Sequence, residues 1–202
     1  PSLVGSEMCI RDRAVAVHAM RRFYIEKDSS VCVIGLGTIG LLLTMFLKAE
    51  GIQNVYVEGN KDMQKHFAQK LGVDDEHYNV DNVVADYVFE CVGKNETINR
   101  AIELAAPAGN IVLVGNPYSE MNIPKDTYWK ILRKQLKLSG TWNSSYAGES
   151  GDDWHYVLNM LADGRIDPEQ FITHEYPLDA IQKGMEIMRD KSEDYVKVMC
   201  IS

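Results

Sequence analysis

Three glycines, Gly35, Gly37 and Gly40, form the pattern G-x-G-x-x-G, which can hold the pyrophosphate of a dinucleotide. Gly35 allows the chain to turn sharply, Gly37 lets the backbone approach the phosphates, and Gly40 lets a helix pack closely against a strand. The alternative is a similar turn that binds another nucleotide-like ligand, such as a methyl donor, or that binds nothing.

The residues around this turn predict the elements that the pattern requires. Residues 31–34 are all apolar and predict a buried strand, whereas residues 39–48 carry the apolar spacing of a helix that ends at Gly51. The amides and the dipole at the start of such a helix favour a negatively charged group. We therefore expect a dinucleotide site at this turn.

The second strand, 55–58, ends at Glu58-Gly59-Asn60-Lys61, where the adenosine ribose should lie. A carboxylate there favours NAD, whereas a small residue followed by a cation admits the 2′-phosphate of NADP. Glu58 can reach the ribose or, by strand alternation, point elsewhere. Gly59 leaves room, and Lys61 can meet a phosphate or be a solvated residue at a helix start. The pattern is mixed, and it favours NAD slightly.

The rest of the first 146 residues alternates between predicted strands and helices. Strands are predicted over 86–92, 111–114 and 137–142, with helices between them over 98–105 and 128–136. This order is typical of an α/β protein with a doubly wound parallel sheet, the Rossmann type. Only a short polar stretch, 72–85, precedes the first of these strands. The connection to this strand is therefore shorter than a usual parallel crossover, which contains a helix.

Both ends of the chain differ from this alternating part. Residues 1–13 lack periodicity, and we interpret them as a translated sequencing adapter or a disordered tail outside the fold. A helix with a structural His18 is predicted over 14–24. Residues 147–202 contain a Gly/acidic linker, two amphipathic helices and a last strand. We therefore expect a nucleotide-binding domain over 14–146 and part of a second domain over 147–202.

Composition narrows the class of protein. The 202 residues are 46% apolar and 25% charged, and they carry a net charge of -8 without a basic stretch, which argues against binding to nucleic acid or anionic membranes. No apolar run approaches the roughly 20 residues of a membrane span, and the first residues lack the pattern of a signal peptide. The four cysteines form no C-x-x-C pair, so we expect a reduced, cytoplasmic setting.

Several stretches together resemble one enzyme family. They are AVAVHAMRR, VIGLGTIG, DYVFECVGKNETI, IVLVGNPYS, YWKILRKQLKLSGTWNSSY and FITHEYPLDAIQKGMEIMRD with YVKVM. The combination resembles the C-terminal half of zinc-dependent medium-chain dehydrogenases, in the polyol branch that includes sorbitol and, especially, galactitol-1-phosphate 5-dehydrogenases. The resemblance covers nearly everything from Ala14 to the end of the chain.

The resemblance implies roles for residues in several loops. Gly37, Thr38 and Ile39 resemble the pyrophosphate contacts, and Lys197 resembles a basic residue that reaches the pyrophosphate, although it can equally be a surface lysine. Gly59 lies where many NAD-dependent members carry an aspartate, which leaves the choice between NAD and NADP open.

Further cofactor contacts are implied at the ends of three later strands. The residues are Cys91, Val92, Gly93, Val114, Gly115, Asn116, Thr141 and Asn143. The first three resemble the lining of the adenosine side, and the next three resemble the backbone that holds the nicotinamide carboxamide. The last two resemble the final contacts before the chain leaves the domain.

The family's zinc ligands lie in its other half. Members of this branch carry Glu-Pro shortly before the helix predicted over 14–24, where this chain has Arg11-Asp12. We therefore expect no zinc ligand and no catalytic residue in this chain, which would be inactive alone. The resemblance implies a homodimer or homotetramer and a polyol or polyol-phosphate substrate. The alternatives are a zinc-free quinone reductase of the same superfamily and a non-catalytic nucleotide-sensing module.

Overall fold

A computed structural model describes residues 10–201. The helices are α1 (Ile10–Met20), α2 (Thr38–Ala49), α3 (Asp62–Lys70), α4 (Asn95–Leu104), α5 (Lys125–Lys134), α6 (Asp153–Ala162) and α7 (Ile181–Asp190). The strands are β1 (Ser30–Ile34), β2 (Asn54–Glu58), β3 (Ala85–Glu90), β4 (Ala105–Leu113), β5 (Lys137–Gly140), β6 (Ile172–Pro177) and β7 (Lys197–Ile201). Within this range, no helix combines the length and the apolar character needed to cross a membrane.

The main sheet has five parallel strands in the order β2-β1-β3-β4-β5, which confirms the predicted α/β doubly wound fold. The chain leaves β1 towards β2 and later returns to the other side of β1 as β3. The strand order therefore reverses between β1 and β3. In open α/β sheets, ligands bind in the crevice outside the carboxyl ends of the strands at this reversal.

The central elements are buried on both faces. All four residues of β1 from Val31 to Ile34 are buried, and α2 buries eight consecutive residues, 40–47. A helix that is apolar all round must be covered on several sides. Here α2 lies between the sheet and the pair α1 and α6, which places the start of α2 firmly at the end of β1.

The structure corrects the predicted start of the fold. Helix α1 begins at Ile10 and ends at Met20, so residues 10–13 belong to the folded domain, and the other residues of the predicted tail, 1–9, lie outside the described residues. Ile10 and Arg13 are buried together with Val17, because residues three and four apart share one face of a helix. Tyr24, at the end of the predicted helix, is instead exposed.

The abbreviated crossover lies between α3 and β3. Tyr78 forms a single parallel bridge to Val57 at the edge of β2, and residues 79–84 then reach β3 without a helix. Arg100 on α4 holds this short segment, because its guanidinium donates to the carbonyl oxygens of Val80 at 3.2 Å and Asp81 at 3.4 Å. One arginine thus fixes a connection that, in a parallel crossover, usually contains a helix.

Residues after 147 pack partly into the same core. Val157 and Met160 of α6 are buried against α1 and α2, so the change of composition at residue 147 does not coincide with a break in packing. At the start of α6, Asp153 accepts hydrogen bonds from Nδ1 of His18 at 2.8 Å and from the amide of Ser145 at 2.7 Å. His18 therefore has a structural contact, as its position predicts.

Strands β6 and β7 form a separate two-stranded parallel sheet. The apolar positions do not predict β6, because the segment mixes polar and apolar side chains without alternation. Phe171, immediately before it, packs edge-on against Phe67 of α3 at 5.7 Å between ring centres. The carbonyl oxygen of Val196, just before β7, accepts a hydrogen bond from the hydroxyl of Thr38, which places the C-terminal segment beside the glycine turn.

Candidate cofactor-binding site

The glycine turn has the geometry that its sequence predicts. Gly35 has a φ of +93°, and a Cβ there would lie 2.3 Å from Cγ2 of Val92. A Cβ on Gly40 would lie 1.9 Å from the carbonyl oxygen of Gly35, so only glycine allows α2 to approach β1 this closely. At Gly37 a Cβ would meet nothing within 4 Å, which means that this residue faces open space.

The N-terminus of α2 is available to an anion. Its N-cap, Gly37, has no capping side chain, and the first turn contains no acidic residue. The hydroxyl of Thr38 donates to the carbonyl oxygen of Val196, whereas Ile39 packs against the core and fixes the direction of the helix. The helix dipole and the first-turn amides therefore point towards the crevice between β1 and β3.

A cleft of about 490 Å³ opens at this point, which is within the usual size of a small-molecule site. It brings together seven of the predicted residues, from the ends of three strands. They are Gly35, Gly37, Glu58, Gly59, Asn60, Cys91 and Val92. The remaining lining residues, which the sequence reading did not single out, are Ile34, Leu36, Gln64, Asn79, Lys94 and Thr97.

The carboxylate of Glu58 is bound by Arg100 within the cleft wall. Oε1 of Glu58 accepts from Nε of Arg100 at 2.8 Å, and the second guanidinium nitrogen lies 2.7 Å away. The sequence left open whether Glu58 reaches the ribose or is pointed elsewhere by strand alternation, and in the structure its carboxylate contacts Arg100 of α4. Arg100 is the important residue that sequence reasoning missed, because 42 residues separate it from its partner.

The turn after β2 is held by side-chain amides. Asn79 accepts from the amide of Gly59 and donates to its carbonyl oxygen, both at 2.9 Å. The amide of Asn60 donates to Oε1 of Gln64 at 2.9 Å. Lys61, which follows, forms an exposed ion pair with Asp194 from the C-terminal segment. The backbone of the turn after β2 is therefore held by side chains on both sides of Gly59 and Asn60.

The loop after β3 is organised by a buried carboxylate. Oε1 of Glu90, which is fully buried, accepts from the amides of Val92 at 2.8 Å and Gly93 at 2.9 Å. Cys91 presents its thiol within this wall, and burial raises the pKa of the thiol, so it stays uncharged. The predicted adenosine side of the cleft therefore has an apolar, neutral wall.

The loop after β4 lies directly against the loop after β3. The carbonyl oxygen of Glu90 accepts from the amides of Val114 at 2.8 Å and Gly115 at 2.9 Å. A Cβ on Gly93, whose φ is +84°, would lie 1.8 Å from the carbonyl oxygen of Asn116. The two loops that the resemblance assigns to adenosine and nicotinamide are therefore packed backbone to backbone.

The remaining predicted contacts lie outside the cleft itself. Thr141 and Asn143 follow β5, and the amide of Thr141 donates to the carbonyl oxygen of Leu113 at 3.1 Å. The buried hydroxyl of Thr141 has no hydrogen-bond partner among the described residues. Lys197 pairs with Asp12 and lines a small cavity beside Thr38.

A doubly wound parallel sheet with this glycine turn at its point of reversal defines a dinucleotide-binding protein of the Rossmann class. The chain belongs to the family described as glucose dehydrogenase C-terminus, which matches residues 9–200. It corresponds to the C-terminal half of zinc-type polyol dehydrogenases, as the sequence motifs predict.

Two named dehydrogenases are similar to this chain over most of its length. The L-idonate 5-dehydrogenase of Vitis vinifera is 27% identical over 201 residues, which are 92% of this chain and 52% of that protein. The galactitol 1-phosphate 5-dehydrogenase of Escherichia coli K12 is 25% identical over 173 residues, with coverages of 79% and 50%.

A solved structure has the same fold. A protein named as a zinc-binding dehydrogenase from Sinorhizobium meliloti 1021, crystallised with NADP, superposes with a TM-score of 0.81 at 21% identity. The match covers 96% of this chain and 58% of that one. The chain therefore spans about half the length of the curated relatives that it matches.

A catalytic zinc ion would need ligands that the described part of this chain does not provide. Among residues 10–201, no three His, Cys, Asp or Glu side chains are grouped so that they could hold a metal ion. The residues in this range therefore do not fit a catalytic zinc site, which requires three protein ligands around one open position.

Proposed function

We propose that this chain is the cofactor-binding half of an NAD(P)-dependent zinc-type polyol dehydrogenase. The observation that carries the proposal is the glycine turn between β1 and β3, where α2 presents an uncapped N-terminus to a cleft of about 490 Å³. The turn combines free amides, a helix dipole and an open approach at Gly37, which together suit a pyrophosphate. The parent enzyme would oxidise an alcohol carbon of a polyol. More specifically, we propose that its substrate is a polyol phosphate such as galactitol 1-phosphate.

The chemistry of the bound nicotinamide cofactor is the acceptance of a hydride from the alcohol carbon. The residues of this chain bind and orient that cofactor. Gly37, Thr38 and Ile39 would hold the pyrophosphate, with Lys197 beside it. Cys91, Val92 and Gly93 would line the adenosine side.

The nicotinamide end would be held by the chain after β4 and β5. Val114, Gly115 and Asn116 would orient the carboxamide, with Thr141 and Asn143 as further contacts. Because Glu90 links the loop after β3 to the loop after β4, the two ends of the cofactor would be set at a fixed spacing.

The metal and the substrate contacts belong, in this proposal, to residues beyond this chain. The 202-residue chain should therefore bind the nicotinamide cofactor weakly and should not oxidise polyols. The parent enzyme is proposed to be a cytoplasmic homodimer or homotetramer. Turnover of a polyol by the purified 202-residue chain would contradict the proposal that the metal and substrate contacts belong to other residues.

The test is a fluorescence titration of the chain with NADH and NADPH, comparing Gly37→Val with Gly151→Val. A Cβ at either position meets nothing within 4 Å, so both variants should fold. Gly37→Val places a side chain against the phosphates and should abolish binding of both cofactors, whereas Gly151→Val should bind like the wild type. If the wild type bound neither cofactor, or if Gly37→Val bound both unchanged, the proposal would be wrong.

A further inference from the structure

We infer that the chain carries a second small-molecule site, a cavity at the C-terminal end of α2 that binds a small aromatic carboxylic acid through Lys27. The cavity has a volume of about 260 Å³, and the described residues that line it are all different from those of the cofactor cleft. The twelve residues of α2, at about 1.5 Å each, place its two ends about 18 Å apart. This cavity is therefore separate from the glycine turn.

The buried residues that line the cavity are apolar. They are Met20 of α1, Leu47 of α2 and Ile52 before β2, and each belongs to the main hydrophobic core. Water in contact with such a surface is readily displaced by an apolar group, because the displacement removes apolar area from water. The interior of the cavity therefore suits a ligand body that carries no polar group.

Aromatic side chains form the other walls of the cavity. Phe23 and Tyr156 are partly buried and pack against the core, whereas the side chain of Tyr24 is 84% exposed. The hydroxyl of Tyr156 donates to Glu50, and burial together with this carboxylate raises the pKa of the hydroxyl, so it stays uncharged. Aromatic rings attract one another in offset and edge-to-face arrangements, so these walls favour an aromatic ligand.

Two of the charged side chains at the cavity are already neutralised within the protein. The carboxylate of Glu50 accepts from Tyr156 and pairs with Arg165 at 3.1 Å. The guanidinium of Arg21 pairs with Asp153 at 3.1 Å and lies 5.4 Å from the centre of the Tyr156 ring. A ligand would have to displace these partners to use either charge, so neither one selects the charge of a ligand.

Lys27 is the lining residue whose charge is available to a ligand. Among residues 10–201 its ammonium group has no ion pair and no hydrogen bond. Nζ of Lys27 would lie 3.8 Å from a Cβ on Gly51, so the side chain runs beside the last turn of α2, where the helix dipole favours a cation. Its neighbours Glu26 and Asp28 line a different cavity. The charge that a ligand can neutralise here is therefore positive, which favours one carboxylate.

The size of the cavity completes the description of the ligand. Its volume is below the roughly 300–1,000 Å³ of sites for drug-sized molecules, which limits the ligand to one ring with a short side chain. The ring would lie between the aromatic walls, and the carboxylate would accept a charge-assisted hydrogen bond from Lys27. The compound 3-phenylpropionate has this chemistry and serves as the probe.

The experiment is an NMR titration of the isotope-labelled 202-residue chain with 3-phenylpropionate, compared with 3-phenylpropan-1-ol and with propionate. The alcohol keeps the ring without the charge, and propionate keeps the charge without the ring. We expect saturable amide shifts at residues 20–27, 47–52 and 156, and an affinity for 3-phenylpropionate at least about tenfold higher than for either analogue. Added salt should weaken binding of the acid and leave binding of the alcohol unchanged, because Lys27 is exposed.

Three variants separate the charge from the ring. Lys27→Met keeps the length of the side chain, and it should weaken the acid at least about fivefold and leave the alcohol unchanged. Tyr24→Ala removes an exposed wall, so it should fold normally and weaken both ligands. Lys48→Met is the matched control, because Lys48 also lies in the last turn of α2 but does not line the cavity, and it should change neither.

Several results would overturn the inference. If 3-phenylpropionate gave no saturable shifts up to about 20 mM, or gave them away from these residues, the cavity would not be a site for this class of ligand. Equal affinities for the acid and the alcohol would show that a carboxylate is not recognised. If Lys27→Met bound the acid as the Lys48→Met control does, Lys27 would not be the residue that holds the carboxylate.

Discussion

The side chain of Glu90 accepts a hydrogen bond of 2.9 Å from the amide of Gly93, and this contact holds the loop behind the cofactor cleft. The same oxygen accepts from the amide of Val92, and the carbonyl oxygen of Glu90 accepts from the loop after β4. One fully buried residue thus links the loop after β3 to the loop after β4, which we propose to hold the adenosine and nicotinamide ends of the cofactor. Its other carboxylate oxygen has no hydrogen-bond partner among the described residues, so the backbone amides are its main partners.

Replacement of Glu90 tests this link. Glu90→Ala leaves two buried amides without an acceptor and opens a cavity, so the free energy of unfolding should fall by about 3 kcal/mol. Glu90→Gln keeps one carbonyl oxygen as acceptor and should cost about 1 kcal/mol. Urea unfolding, together with a cofactor titration at low urea, measures both effects. A Glu90→Ala chain as stable as the wild type, with unchanged cofactor affinity, would show that this carboxylate does not organise the loops.

Gly59→Asp should change which cofactor binds. The new side chain would displace the Tyr78 hydroxyl and Oε1 of Gln64, which lie 2.7 and 2.9 Å from the position of its Cβ. Its carboxylate could then accept from the ribose hydroxyls, and it would repel a 2′-phosphate. We expect NADPH to bind at least about tenfold more weakly and NADH to bind equally or more tightly. Gly59→Ala is the control, because it presses on the Tyr78 hydroxyl and Gln64 without adding charge. If Gly59→Asp left the ratio of the two affinities unchanged, the ribose would not lie beside Gly59.

Gly40→Ala should destabilise the fold, in contrast to a substitution at Gly37. The methyl group at position 40 would lie 1.9 Å from the carbonyl oxygen of Gly35, and a backbone atom cannot move aside cheaply. The free energy of unfolding should fall by about 2–4 kcal/mol, whereas Gly37→Ala should change it by less than about 1 kcal/mol. Thermal and urea unfolding of both variants check this, and equal stabilities would contradict the close approach of α2 to β1.

Local patterns predicted the glycine turn because all its parts are neighbours in the sequence, between residues 31 and 47. The buried run of β1, the turn and the apolar run of α2 each follow from neighbouring residues, and the alternation of elements predicts the parallel sheet. The contact of Glu58 with Arg100 depends on the tertiary fold and carries no local signal.

The structure differs from the sequence-based prediction at two other places, α1 and β6, and tertiary contacts are again the reason. Ile10 and Arg13 are buried only because α2 and α6 provide the surfaces that cover α1, so an unpatterned segment still folds. Strand β6 exists because β7 pairs with it, and its mixed side chains show neither alternation nor an apolar run. Both features depend on partners distant in the sequence, which single-sequence patterns do not report.

The linker before α6, residues 147–152, should make the free energy of unfolding decrease in acid. Asp152, the N-cap of α6, accepts from the amide and the ring of His155 and from the amides of Ala147 and Gly148. Burial alone would raise the pKa of Asp152, but the hydrogen bonds from His155 and Ala147 outweigh it and hold this pKa well below its usual range. An aspartate with a depressed pKa in the folded state stabilises the fold above the unfolded-state pKa, about 3.9, and loses this contribution as the pH falls below that value.

The free energy of unfolding should therefore decrease from about pH 5 to pH 3, and the decrease should be smaller in Asp152→Asn, which keeps a capping oxygen but cannot titrate. Urea unfolding at pH 7, 5, 4 and 3 measures the slope for each protein. Asp163→Asn, at the other end of α6, is the matched control and should retain the wild-type slope. If Asp152→Asn and the wild type lost stability in parallel, the carboxylate of Asp152 would not be the group whose protonation releases the linker.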